Sequence, residues 1–380
     1  MEREMTVQRR QFGQTPLQIS LLGLGCMRFP QTADKKIDME KAGEIVDYAY
    51  SHGVNYFDTA YVYNGGESEE VIGKLLQKYD RSSYYLADKM PMWQIEKSGD
   101  LEEIFNTSLR RLQTDYIDFY LIHALDEEKF EKSLRLGVYD FICKKKAEGK
   151  VRHIGFSFHD SPKVLRRILD AYPVEFAQIQ LNYLDWELQD AKAQYEMIAQ
   201  QGIPCVIMEP VRGGALADLG ETANGILKQA RPDRSIASWA IRYASALPNV
   251  LTVLSGMSTL GQVEDNVQTL SQAEPLSPTE TQALAQATDA YRKKDTVPCT
   301  GCRYCMDCPS GVDIPLMFHL YNDYAFHQDR NAFLEGYDKA GDRQAANCIS
   351  CGVCAEHCPQ SISIPEKMEM IRELVQKLRG

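Results

Sequence analysis

Eight of the eleven cysteines lie between Cys299 and Cys358. They fall into two runs. The first is Cys299, Cys302, Cys305 and Cys308, followed by Pro309. The second is Cys348, Cys351, Cys354 and Cys358, followed by Pro359. Thiolates are soft ligands, and sets of four suit zinc or iron–sulfur clusters. Zinc ribbons supply two Cys per knuckle. Here each run supplies three closely spaced Cys and a fourth just before proline. A cubane needs that three-plus-one arrangement when the fourth thiolate reaches a neighbouring cluster. The spacing predicts two [4Fe–4S] clusters, one on Cys299, Cys302, Cys305 and Cys358, the other on Cys348, Cys351, Cys354 and Cys308. The first run has two residues before its last Cys and the second has three. After each run comes an echo, Val312-Asp313-Ile314-Pro315 and Ile362-Ser363-Ile364-Pro365, so the tail is an internal repeat.

A second set of reactive side chains is dispersed. Asp58, Lys89 and His123 each end a short apolar run, and Tyr63 follows Asp58 by five residues. A phenol has a pKa of about 10 and is a weak acid near neutrality. A neighbouring ammonium favours the phenolate. Asp58 would hold Lys89 in place, and His123 would hydrogen-bond a substrate carbonyl oxygen. Tyr63 would protonate that oxygen as hydride reaches the carbon, which is general acid catalysis. Any one of these groups is more often an ordinary ion pair or a satisfied histidine. Their meaning depends on what brings them together.

The elements that could do so are short β-branched runs alternating with helical patterns. Eight strands are predicted at Leu21–Leu24, Tyr56–Asp58, Tyr84–Ala87, Ile117–Leu121, His153–Phe158, Ala177–Leu181, Cys205–Met208 and Val250–Leu254. Among the helices, Met39–Tyr50 puts Ala42, Ile45, Val46 and Ala49 on one face. Leu101–Leu112 is another. An N-terminal hairpin is expected around Gly13-Gln14-Thr15-Pro16. Strand–helix repetition implies a parallel sheet, and eight units favour a closed (β/α)8 barrel. A dinucleotide-binding open sheet would carry three spaced glycines after the first strand. Gly23-Leu24-Gly25-Cys26-Met27-Arg28 lacks the third. Barrels collect chemistry at the C-terminal ends of their strands, which is where these groups fall. The expected division is a barrel over residues 1–285 and a small helical cluster domain over 286–380.

The chain has 380 residues, 44% hydrophobic and 25% charged, which are globular values. Its 42 Lys+Arg against 53 Asp+Glu leave a net charge of −11, which disfavours nucleic-acid binding. No apolar run reaches a membrane span and the charged start lacks a signal core. A cytoplasmic protein without disulfides is expected. Cys143 and Cys205 read as packing residues, whereas Cys26 falls at the barrel mouth.

Asp58-Thr59-Ala60-Tyr61-Val62-Tyr63, Gly66-Glu67-Ser68-Glu69, Ala87-Asp88-Lys89 and Asp118-Phe119-Tyr120-Leu121-Ile122-His123 together resemble the aldo-keto reductases, over roughly residues 8–272. The resemblance implies a catalytic tetrad of Asp58, Tyr63, Lys89 and His123. It also implies a nicotinamide dinucleotide, NADP or NAD, extended across the barrel mouth. Gly25, Cys26 and Met27 would line the nicotinamide pocket, and Ser157 would hold the carboxamide. Phe158 stands where Asn is common, leaving Ser157 with Gln180 as its close partner. Glu209, Pro210, Val211, Arg212, Gly213 and Gly214 resemble the loop over the pyrophosphate. Ser255, Gly256, Met257, Gln262, Asp265 and Asn266 resemble the adenosine site. Members specific for the 2′-phosphate often carry a cation after that Gly. Met257, Ser258 and Thr259 offer none. The tail, from about 290 to 380, resembles the α-helical ferredoxin type found in iron–sulfur subunits of succinate dehydrogenases.

Three functions fit these features. One is an oxidoreductase acting on a small carbonyl or alcohol, with clusters that exchange electrons with a partner protein. The second is an electron carrier or redox sensor whose barrel binds nicotinamide with little turnover. The third is a reductase whose clusters only staple a small domain. Tyr61, Trp93, Phe158 and Trp186 are candidates to line an apolar substrate pocket.

Overall fold

A computed structural model describes residues 5–380. The chain forms two compact units: Met1–Pro210 with Ser238–Leu276, and Val211–Ala237 with Ser277–Gly380.

The first unit holds a two-stranded antiparallel hairpin and a closed barrel. The hairpin pairs β1 (Arg9–Gln11) with β2 (Gln18–Ser20). The barrel strands are β3 (Leu22–Gly25), β4 (Tyr56–Asp58), β5 (Tyr85–Met90), β6 (Ile117–Leu125), β7 (Val151–Phe158), β8 (Phe176–Gln180), β9 (Cys205–Met208) and β10 (Val250–Ser255). Each pairs in parallel with its neighbours, and β10 pairs with β3 to close the ring. The expected eight-stranded barrel is therefore present, with strand ends within a few residues of those predicted. β6 differs most, running to Leu125 with a register shift between Ile122 and Leu125.

Closure follows from the burial pattern. Barrel strands are covered on both faces, so they read as continuous apolar runs, and every residue of β4, β6, β8 and β10 is buried. Tyr56, Ala87, Phe119, Leu121, Phe176, Val206, Leu251 and Leu254 pack together, and Phe12 and Ile19 of the hairpin join them. Phe12 lies edge-on to Phe119 with ring centroids 5.2 Å apart. Three helices position the site. They are α1 (Met39–Ser51), α2 (Glu67–Leu76) and α3 (Asp100–Leu112). α1 buries Ala42, Ile45, Val46 and Ala49, as its 3.6-residue period requires.

In the second unit, helix Pro278–Arg292 starts with a capping box between Ser277 and Glu280. Glu280 also pairs with Arg231 at 3.2 Å. Residue 285, the boundary expected from sequence, lies inside this helix. Both Ile-Pro echoes open a helix, Ile314–His327 and Ile364–Arg379, with proline in the first turn. Helix Arg330–Lys339 lies between them in sequence. Met317, Phe318, Tyr321, Phe333, Tyr337, Ile371 and Val375 form a core with Cys305 and Cys354. Among the described residues no helix is long and apolar enough to cross a membrane.

Candidate active site and thiolate centres

Strand alternation turns Lys89 of β5 toward the barrel mouth, where its side chain is fully buried. Its Nζ donates to Asp58 Oδ1 at 2.7 Å and to the Thr59 carbonyl at 2.6 Å. The same Nζ stands 4.8 Å from the centroid of the Tyr63 ring. Tyr63 and His123 meet edge to face at 5.9 Å, and Trp93 tilts over His123 at 4.9 Å. The four candidate catalytic side chains thus share one buried cluster. Burial lifts the Asp58 carboxyl above its usual range, against the opposing pull of Lys89. Burial, then Lys89, holds His123 well below the ordinary histidine range. The imidazole is therefore neutral at physiological pH, suited to hydrogen bonding rather than to carrying charge.

The irregularity in β6 has a local purpose. Ala124 adopts φ +52°, and its N–H reaches Ser157 Oγ at 2.7 Å. A bulge next to a reactive group re-aims it, here just after His123. Ser157 thus accepts from the backbone of β6. Gln180, its expected partner, donates to Asp185 Oδ2 at 2.8 Å. Asn182 joins that carboxylate at 2.6 Å and also donates to the Glu209 carbonyl at 3.0 Å. Asn182 and Asp185 went unnoticed in the sequence. Their only trace there is the Asn-Tyr-Leu-Asp stretch directly after β8.

The other nucleotide candidates divide between the units. Gly25, Cys26, Met27, Glu209, Pro210, Ser255, Gly256, Met257, Gln262, Asp265 and Asn266 lie in the first; Val211, Arg212, Gly213 and Gly214 lie in the second. Cys26 is fully buried, and its thiol is raised well above the usual range by burial and then by Asp58. That environment favours the thiol over the reactive thiolate. Ser255 Oγ accepts from Asn266 at 2.8 Å, and Gln262 accepts from the Ser258 N–H at 2.7 Å. The stretch after β10 contains no cation of its own, but the fold supplies one. Arg28 lies against Gly256, where a Cβ would fall 2.9 Å from Arg28 Cδ. Its Nη2 pairs with Glu209 at 3.2 Å, and its carbonyl accepts from Ser258 Oγ at 2.6 Å. Glu209, Arg212, Gly213 and Gly214 all take positive φ. A Cβ on Gly213 would run into the carbonyl oxygen of Thr300, so only glycine allows this approach.

Of the aromatic pocket candidates, Trp93 touches the cluster through His123. Trp186 instead packs on Tyr243 at 6.0 Å, and Tyr61 lies beneath the Arg111 guanidinium at 4.6 Å. Phe158 is buried edge-on to Phe156 at 6.4 Å.

In the second unit, Cys299, Cys302, Cys305 and Cys358 line one cavity with Thr300, Pro315, Phe318, Ile362 and Ile364. Burial raises the Cys305 thiol, and so do Cys302, Cys299 and Cys358. Burial, then Cys308, Cys348 and Cys351, raises Cys354. Cys358 of the second run thus lies with the first run, and Cys308 of the first lies near the second. Among the described residues no three His, Cys, Asp or Glu side chains converge on a single-ion position. The two runs share a backbone trace. Gly301 and Ser350, two residues after the first Cys, have φ +64° and +55°, and each N–H points at that Cys Sγ, at 3.3 and 3.4 Å. Arg303 and Gly352 share positive φ, as do Gly311 and Ser361. The one-residue difference between runs is absorbed before the fourth Cys.

The aldo/keto reductase family profile matches residues 21–289. This chain belongs to that family. A 4Fe-4S dicluster domain profile follows over residues 298–362. The reductase is 27% identical over 320 residues to the uncharacterised oxidoreductase YqkF of Bacillus subtilis, covering 75% of this chain and 99% of that protein. It is 26% identical over 290 residues to the L-galactose dehydrogenase of Arabidopsis thaliana, covering 71% of this chain and 90% of that one. The holo form of an aldo-keto reductase from Bacillus halodurans superposes with a TM-score of 0.61 at 28% identity, covering 74% of this chain and 96% of that one. The chain is thus an oxidoreductase-family barrel fused to a 4Fe-4S domain.

Proposed function

We propose that this reductase interconverts a small carbonyl compound and its alcohol with a nicotinamide dinucleotide, and exchanges electrons with a partner protein through two [4Fe–4S] clusters. One observation carries the enzymatic reading, the buried Lys89–Asp58 pair beneath the Tyr63 ring. The barrel residues suit a nicotinamide. Ser157 accepts from Ala124 N–H and keeps its own hydroxyl hydrogen to donate to a carboxamide. Arg28 offers a cation to the phosphates. When bound, the dinucleotide supplies or accepts hydride at the carbonyl carbon.

The chain's own residues do the rest. Tyr63 donates its phenolic proton to the carbonyl oxygen, and the resulting phenolate faces Lys89. Neutral His123 orients the oxygen by a hydrogen bond. Asp58 holds Lys89 in place. The low dielectric of the buried cluster strengthens each of these interactions. In the reverse direction the same phenolate takes the alcohol proton.

The eight Cys would hold the two clusters, in the sets 299/302/305/358 and 348/351/354/308, and the clusters supply one-electron steps. The test is Tyr63→Phe on anaerobically purified protein. Carbonyl reduction falls about 100-fold or more, the scale of a lost general acid, while nucleotide binding persists. An unchanged rate overturns the enzymatic reading. Counting iron and labile sulfide, about eight of each for two clusters, and following bleaching on addition of NADH or NADPH tests the electron-transfer part. Full clusters that never respond would assign them a structural role or service to a partner alone, apart from the barrel.

A further inference from the structure

The loop that presents Tyr63 is held by a residue outside the tetrad. Tyr63 opens a short turn in which Asn64, Gly65 and Gly66 take φ of +54°, +67° and +92°. Asn and glycine adopt these angles readily, but the two glycines leave the backbone free to take others, so contacts from outside the turn are needed to fix it. Arg111, in the last turn of α3, contacts the loop on both sides of Tyr63. Its Nη1 donates to the Tyr61 carbonyl at 3.3 Å and to Glu69 Oε2 at 2.8 Å. Its guanidinium stacks on the Tyr61 ring at 4.6 Å. A Cβ on Gly66 would sit 2.8 Å from its Cζ, so loop and guanidinium touch face to face.

The partner of Arg111 is unusual. Glu69 is fully buried on α2 and faces Asp88, also fully buried, the residue immediately before Lys89 on β5. Burial and the Glu69 charge hold Asp88 well above the usual carboxylate range. Alternation sends Asp88 and Lys89 to opposite faces of β5. The Arg111–Glu69–Asp88 chain thus ties the Tyr63 loop to the strand that carries Lys89.

We infer that Arg111 is a positioning residue for Tyr63, setting the phenol against Lys89 through the loop it clamps. This rests on the proposed role of Tyr63. A planar fork is needed, because one group must serve a carbonyl, a carboxylate and an aromatic face at once.

The experiment uses full-length, cluster-loaded protein labelled with 3-fluorotyrosine, in wild-type, Tyr63→Phe, Arg111→Met and Arg111→Lys forms. The Tyr63 resonance is the one missing from Tyr63→Phe. Activity is followed with 4-nitrobenzaldehyde as the probe, and nucleotide binding by fluorescence quenching with NADH and NADPH. Arg111→Met should move the Tyr63 resonance and lower kcat about 10- to 100-fold, the scale of an ångström-level misplacement. The nucleotide Kd should stay within about two-fold, a nominal margin for unperturbed binding. Arg111→Lys should fall between, since it keeps the charge and loses the fork, and it serves alone if Arg111→Met does not fold. A Tyr63 resonance in its wild-type place and unchanged kcat, with only a lower melting temperature, overturn the proposal. If Tyr63→Phe loses activity and the Arg111 variants do not, this proposal fails alone. If Tyr63→Phe keeps activity, both fall. Where the probe is not turned over, the resonance decides.

Discussion

The barrel mouth and the thiolate centres reach order by opposite routes. Asp58, Tyr63, Lys89 and His123 come from three strands and one loop, and they touch only because eight strands close into a ring. The Cys sets are nearly written in the chain, three of four proposed ligands within seven residues each. Only the exchange of Cys308 and Cys358 between the runs requires the domain to fold. Chemistry assembled from distant segments depends on the packing of the whole barrel. Chemistry written locally depends on a few backbone angles, here the positive φ at Gly301, Ser350, Arg303 and Gly352.

The sharpest way to break this contrast is Lys89→Met. It leaves the Asp58 carboxylate buried without its partner, a change that typically costs about 3–5 kcal/mol. It also removes the cation facing the phenol. Activity should fall about 1000-fold, and the barrel should melt well below wild type. Adding Asp58→Asn should recover most of the melting temperature and none of the activity. A double variant as unstable as the single would show that the pair is not the stabilising unit.

Cys305→Ser tests the local side. It should lower iron from about eight per chain toward four if each set holds its own [4Fe–4S] cluster. Loss of all the iron would show that the two sets assemble as one.

Gly213→Ala probes backbone packing inside the second unit. A new Cβ would collide with the Thr300 carbonyl between two cluster cysteines, at a residue whose φ of +65° already disfavours a side chain. A loss of about 1–3 kcal/mol is expected, read as a lower melting temperature and reduced iron content. Unchanged values would mean that the loop moves aside freely.

The pH response separates the regions more gently. Burial, chiefly, holds His123 well below its ordinary pKa, and holds His159 at about 4. The unfolded chain takes up protons at these sites near pH 6.5 while the folded chain does not. The stability contributed by keeping the two histidines neutral is therefore complete above that pH and is lost as pH falls toward 4. The slope is at most about 1.4 kcal/mol per unit for each histidine. Denaturant midpoints for the first unit should drop over this window, and His159→Gln should flatten the drop. An unchanged slope would show that His159 is protonated in the fold.

The smallest effect expected is at Ser350 and Ser361, which occupy left-handed positions that glycine holds at Gly301 and Gly311 in the other run. Changing either to Gly should stabilise by up to about 1 kcal/mol. Destabilisation would show that their side chains, rather than the backbone, hold the turn.

Periodicity determined the parallel barrel and the helical tail, because residues buried on both faces of a strand, or on one stripe of a helix, must be apolar, and turn residues determined the hairpin. Spacing alone determined the thiolate sets, since ligands close in sequence need little help to meet. Strand-end position pointed to Asp58, Tyr63, Lys89 and His123, but nothing in the sequence could show Lys89 Nζ beneath the Tyr63 ring. Tertiary structure decided the bulge that joins Ala124 to Ser157, the Asn182–Asp185–Gln180 network, the approach of Arg28 to Gly256 and the Arg111 clamp. Apart from the network, whose members lie within five residues, these depend on residues tens or hundreds of positions apart, or on a backbone angle that any residue type can be forced to adopt. Local pattern carries neither kind of information, and closure of the barrel supplies both.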